Sequence, residues 1–221
     1  MEQMGDWLMA SAERAPADPF LITPARTWSF GEVEERVCRS VGALRELGVA
    51  RGDVVAVWGE NDLDTVVGML AIPRTGAMML PLNTRLVEEE VEPLVQRAGA
   101  TKVLASIHAP KLNLETLSLH DLADGDVEQR CDVPPHDGYM VMFTSGTTGR
   151  PKSVRLSREN LEASAAASAK HLRHTQEDRW LAVLPLFHVG GWSIIVRSAR
   201  QGSAVVLEPR FESARAGILM R

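Results

Sequence analysis

Thr144-Ser-Gly-Thr-Thr-Gly-Arg-Pro-Lys152 gathers four hydroxyls, two glycines and a lysine directly after the apolar run Tyr139–Phe143. Thr144, Ser145, Thr147 and Thr148 supply hydroxyl donors. Gly146 and Gly149 let the backbone come close to an anion, and Lys152 adds a point charge on a long stem. Together they suit the oxygens of a polyphosphate. Gly146 to Ser153 fits the Walker pattern G-x-x-x-x-G-K-[ST] everywhere except Pro151, which stands at the second glycine. Proline has no N–H to give a phosphate and a fixed negative φ, so a Walker cradle cannot close there. The residues after Lys152 read as strand, whereas a Walker loop runs straight into a helix. A plain structural turn is the other reading that the loop's composition allows. A second group, Pro185-Leu-Phe-His188-Val-Gly-Gly191-Trp192, offers a histidine after an apolar turn. By itself it reads as a satisfied core histidine.

The surrounding pattern says what must carry these groups. Residues 4–15 read as a helix stopped by Pro16, and Phe20–Thr23 with Arg26–Ser29 as a short hairpin. Ser29 and Glu32 have capping-box spacing before a helix with Val33, Val37, Val41, Leu44 and Leu47 on one face, which Gly48 can end. Val54–Trp58 is a continuous apolar strand, Asp62–Gly76 a helix, Ala77–Leu80 a strand, Leu86–Ala98 a helix closed by Gly99, and Lys102–Ala105 a strand. No periodicity assigns residues 106–124, and Gly125–Gly138, with Pro134-Pro135 and four acids, reads as a surface connection. Tyr139–Phe143 and Val154–Leu156 predict a hairpin around the loop. Ser157 then caps a helix to about Arg173, followed by a strand at Trp180–Leu184, a turn at 185–192, a helix over Ser193–Arg200 and a strand at Ala204–Leu207. Alternation of continuous apolar strands with helices predicts an α/β fold of parallel-rich sheets flanked by helices. The expected division is a first α/β subdomain at 1–138, ending in the acidic linker, and the start of a second at 139–221.

Composition narrows the function classes. The chain has 221 residues and a net charge of -5. From Tyr139 onward twelve Lys/Arg face six Asp/Glu, a net of +6, which leaves -11 on residues 1–138. A basic second part suits a polyphosphate ligand, and solvated arginines would give the same count. Basic runs interleaved with aromatics are missing, so nucleic acid is not an expected partner. No apolar run approaches the ~20 residues that cross a bilayer, and a cytoplasmic protein is expected. Cys38 and Cys131 lie far apart without His/Cys neighbours, so no metal site is expected and both read as free structural thiols.

Thr144 through Lys152 resembles the signature loop of the adenylate-forming superfamily, the acyl-CoA synthetases, luciferases and peptide-synthetase adenylation domains. Trp28-Ser-Phe with Glu32, Leu47-Gly-Val-Ala-Arg-Gly-Asp53, Gly76 with Pro81-Leu-Asn83, and Leu184-Pro-Leu-Phe-His188 follow in family order, so the resemblance covers nearly the whole chain. Within the superfamily, Leu184–Gly191 and Asn83–Leu86 are most similar to the o-succinylbenzoate-CoA ligases of menaquinone biosynthesis.

The resemblance implies an AMP-forming acid–thiol ligase using ATP, Mg2+ and coenzyme A on a small-molecule carboxylic acid. It implies that Thr144, Ser145, Gly146, Thr147, Thr148, Gly149 and Lys152 hold the β- and γ-phosphates. His188 would line the acyl pocket and the path of the thiol, while Gly190 and Gly191 leave room for the acyl group; Lys152 and His188 are the expected catalytic residues. Ser153 stands where the family commonly has glycine or alanine. The resemblance runs to Arg221, whereas family members continue with the adenine, ribose and hinge motifs and a C-terminal domain bearing a further lysine. The chain is therefore expected to be an N-terminal portion, inactive alone, whose last strand and helix lack the neighbours that complete the family's sheets and whose exposed seam drives self-association. The alternatives are a non-catalytic fragment binding polyphosphate or a partner protein, and another aromatic or fatty acid as substrate.

Overall fold

A computed structural model describes residues 6–125, 138–144 and 151–219 of the chain. Helix α1 (Trp7–Arg14) is capped by Asp6, whose side chain accepts from the Met9 N–H. Strands β1 (Pro19–Ile22) and β2 (Thr27–Ser29) form the expected antiparallel pair. Helix α2 (Phe30–Glu46) begins with the expected capping box: Ser29 Oγ accepts the Glu32 N–H at 3.2 Å and Glu32 accepts the Ser29 N–H at 2.8 Å.

Strand β3 (Val54–Trp58) leads to α3 (Leu63–Arg74), β4 (Met78–Pro81), α4 (Glu88–Ala98) and β5 (Ala100–Ala105). The segment that sequence pattern leaves unassigned holds β6 (Thr116–Ser118) and a 3-10 turn at Asp121–Asp124. Then come β7 (Met140–Thr144), β8 (Lys152–Leu156), α5 (Arg158–Leu172), β9 (Arg179–Ala182), α6 (Val189–Gln201), β10 (Ala204–Leu207) and α7 (Ser213–Leu219).

The strands form two sheets, ordered β2-β1-β10-β9 and β6-β5-β3-β4-β7-β8. Every neighbouring pair is parallel except β1–β2 and β7–β8. Each sheet takes strands from both sides of residue 138. The last strand does not lack neighbours as expected: β10 lies between β1 and β9.

The continuous apolar strands are explained by burial on both faces. Val55 and Val57 enter the larger core, with α1, α2, α3, α5 and α6, while Val54, Ala56 and Trp58 enter a smaller one against Val91 and Val95 of α4. Helix α3 is buried from Thr65 to Arg74, Arg74 included. Its guanidinium lies 2.6 Å from Asp6 and 2.7 Å from Glu34, so two carboxylates offset the charge that the core takes in.

Candidate active site

Strands β7 and β8 pair in an unbroken antiparallel register from Met140↔Leu156 to Thr144↔Lys152. Residues directly opposite in such a ladder point to the same face. Met140, Met142 and Leu156 pack with the larger core, so the period of two places Thr144 and Lys152 on that same face of the sheet, both exposed at the hairpin's end. The Thr144 hydroxyl donates to the Lys152 carbonyl at 3.4 Å, a long bond, and Arg97 of α4 donates to the Pro151 carbonyl at 2.6 Å. The loop thus leaves one strand and returns along its neighbour, with its far end tied to α4. This is the hairpin that the sequence predicts and not the strand-to-helix path of a Walker loop. Ser145, Gly146, Thr147, Thr148 and Gly149 lie outside the described residues.

The second group sits after β9. Helix α6 begins at Val189, earlier than the sequence pattern suggests, so Gly190 and Gly191 belong to its first turn and not to the preceding loop. His188 is the N-cap, with extended backbone, and its carbonyl accepts the Trp192 N–H at 3.0 Å. Its imidazole makes no capping bond; it is exposed and lies against the Phe187 ring with centroids 4.6 Å apart. A side chain at Gly191 would run into the carbonyl oxygens of Pro185 and Leu184, so the close approach of that backbone requires glycine there. At Gly190 an added methyl would meet only the Leu184 side chain, at 3.5 Å.

Packing joins the two groups through α5, which leaves the hairpin and lies along α6. Arg197 donates to the Ser168 hydroxyl at 2.8 Å and Arg200 to Glu162 at 2.6 Å, and Leu161 and Ala165 are buried on α5. Sequence reasoning misses Asn61, which lies in the loop after β3 and is 5% exposed. Its amide donates to the carbonyls of Leu184 and Glu208 at 3.0 and 3.1 Å and accepts the Leu186 N–H at 3.0 Å. Its partners are more than a hundred residues away in sequence, and asparagine beside a helix start looks like an ordinary loop residue.

Chemically, the hairpin end offers a hydroxyl and an ammonium on one sheet face, a donor set for anionic oxygen. Mg2+ takes carboxylate or phosphate oxygens. Neither Thr144 nor Lys152 supplies a carboxylate, so the described end of the hairpin does not fit a metal site.

The profile of a family described as AMP-binding enzyme matches residues 8–221. A 2-succinylbenzoate--CoA ligase of Listeria monocytogenes serotype 4b (strain F2365) is 33% identical over 215 residues, covering 96% of this chain and 46% of that protein. An o-succinylbenzoate CoA synthetase from Bacillus subtilis, bound with a product analogue, superposes with a TM-score of 0.91 at 29% identity, over 98% of this chain and 46% of that one. The Bacillus subtilis synthetase in complex with ATP and magnesium ion gives 0.89 at 28% identity, over 98% and 60% of the respective chains. The chain therefore spans about half the length of the curated relative it matches.

Proposed function

The chain belongs to the AMP-binding enzyme family, and from that premise we propose that it is the N-terminal portion of an ATP-dependent acid–thiol ligase acting on o-succinylbenzoate. In the first step an oxygen of the substrate carboxylate attacks the α-phosphorus of ATP. The new bond is carboxyl O–P; the bond from the α-phosphorus to the bridging oxygen breaks, and pyrophosphate leaves with its electron pair. In the second step the sulfur of coenzyme A attacks the acyl carbon, the thiol loses its proton, and the C–O bond to AMP breaks to give the thioester.

The observation that carries this reading is the hairpin that sets Thr144 opposite Lys152 at the two ends of a Ser/Thr/Gly loop. Charge developing on the departing pyrophosphate is stabilised most by donors already in place, and a charge-assisted bond from Lys152 is stronger than a neutral one. The loop between them has the length and hydroxyl content to surround the β- and γ-phosphates. His188, exposed at the start of α6 next to Gly190, is the group read as receiving the acyl group and the incoming thiol. Mg2+ would balance phosphate charge in the bound nucleotide.

The test supplies ATP with o-succinylbenzoate and reads pyrophosphate, then thioester once coenzyme A is added. It is run on this chain and on the reading frame extended past Arg221. Release from the extended protein supports the proposal. ATP binding with no release from either would favour a non-catalytic polyphosphate-binding unit, and release with other aromatic or fatty acids alone would replace the substrate.

A further inference from the structure

We infer that Asn61 is a positioning residue for the carboxylic-acid side of this site, an inference that rests on the ligase reading above. The loop after β3 belongs to the six-stranded sheet, whereas Leu184, Leu186 and Glu208 follow β9 and β10 of the four-stranded one. One buried amide spans the two. Both N–H groups are used, on the Leu184 and Glu208 carbonyls, and the amide oxygen accepts the Leu186 N–H. Carbonyls only accept and the peptide N–H only donates, so the partners themselves fix which way the amide points.

Leu186 is two residues before His188, and its side chain is 1% exposed. The His188 N–H donates to the Pro185 carbonyl at 3.0 Å, which closes the turn that Asn61 grips from both sides. Glu208 is itself anchored, its N–H donating to the Ala182 carbonyl at 3.1 Å and its carboxylate accepting from Arg215 at 3.0 Å. The turn is thereby referred to a fixed point, and the direction in which His188 leaves it is set by Asn61. Among the described residues no bond joins Asn61 to the β7–β8 hairpin, so loss of the amide should disturb the acid and leave the nucleotide alone.

The experiment compares the wild-type chain with Asn61→Leu, which removes all three bonds, and Asn61→Asp, which keeps the acceptor for the Leu186 N–H. Calorimetric titrations with o-succinylbenzoate and, separately, MgATP are read beside amide exchange at Leu186. Breaking buried bonds of this kind should weaken o-succinylbenzoate binding about tenfold or more in Asn61→Leu, with MgATP within about twofold of wild type. Leu186 exchange should accelerate in Asn61→Leu and stay slower in Asn61→Asp. Equal weakening of both ligands, or unchanged acid binding, overturns the positioning role. If neither the wild-type chain nor the extended protein binds o-succinylbenzoate, the ligase reading fails separately. Leu186 exchange then decides whether Asn61 holds the turn, and unchanged protection in Asn61→Leu refutes it. Should Asn61→Leu not fold, Asn61→Asp is read for the same split between acid and nucleotide, and an equal loss of both overturns the inference.

Discussion

Thr144 and Lys152 face each other as the last pair of the β7–β8 hairpin, with seven residues between them and their side chains on one face of the sheet. A hydroxyl and an ammonium are held at the two ends of one loop by a ladder that begins at Met140 and Leu156. The spacing of the two groups is a property of the strands, and the strands are fixed by burial of Met140 and Val141 on opposite faces.

Arg74→Met tests the buried charge at the end of α3, which pairs with the cap of α1 and with α2. Arg74 is fully enclosed and bonds both Asp6 and Glu34. Removing it leaves two carboxylates without their cation, and breaking such a pair costs about 3–5 kcal/mol. Urea unfolding should show a loss of this size; a midpoint close to wild type would mean that the carboxylates find water or another cation.

The turn at α6 separates two adjacent glycines. Gly191→Ala should destabilise the chain by roughly 1–3 kcal/mol, because its methyl meets backbone carbonyls that cannot move without opening the turn. Gly190→Ala should be neutral or slightly stabilising, since alanine is the better helix former by roughly 0.5–1 kcal/mol. Thermal melts that rank the two variants the other way would contradict the described packing.

A pH-dependent contribution to stability comes from His174, which is 6% exposed. Its Nε2 is 2.8 Å from the Trp180 indole nitrogen and 2.7 Å from the Ser203 hydroxyl. Indole N–H only donates, so Nε2 accepts and the ring is neutral. Burial holds its pKa below the ordinary 6.5, with Asp178 opposing and Arg197 adding to the shift. The unfolded chain therefore takes up this proton first, and stability rises with pH across the interval between the two pKa values. The contribution is complete above the unfolded value and declines as pH falls through it toward the lowered folded one. Urea midpoints should drop as pH falls through the ordinary histidine value of 6.5, and His174→Gln should flatten that part of the profile; an identical slope in the variant would assign it elsewhere.

Phe211 and Ile218, 64% and 68% exposed after β10, are the apolar groups through which we propose the chain self-associates. Light scattering should give a mass that rises with concentration, and replacing both residues by serine should abolish the rise. A monomer at every concentration would remove the proposal.

What the sequence made legible was whatever depended on neighbours in the chain. Val54–Trp58 betrayed a strand buried on both faces because every residue in it is apolar, and Ser29 with Glu32 marked the start of α2 through a cap made within one turn. The hairpin around the loop was readable because strand residues flank it and Pro151 forbids the rival geometry. The start of α6 was misplaced, since Gly190-Gly191 resembles a turn; only the Leu184–Pro185 backbone pressed against Gly191 shows why glycine is needed inside the helix. Asn61 and Arg74 were illegible for the same reason as each other: their partners are distant in sequence. Of the expected site, Thr144, Lys152, His188, Gly190 and Gly191 fall within the described residues, and the five between Thr144 and Arg150 do not.

The central claim is that the hairpin loop holds polyphosphate through Lys152, and titration of MgATP into the wild-type chain and Lys152→Ala tests it most directly. A bond from a charged donor contributes about 1.5–3 kcal/mol, so the account predicts binding to wild type and affinity about tenfold lower or worse in the variant. Lys152 is exposed at the hairpin end, so unfolding midpoints should stay together. Equal affinity for MgATP in the two proteins would contradict the account.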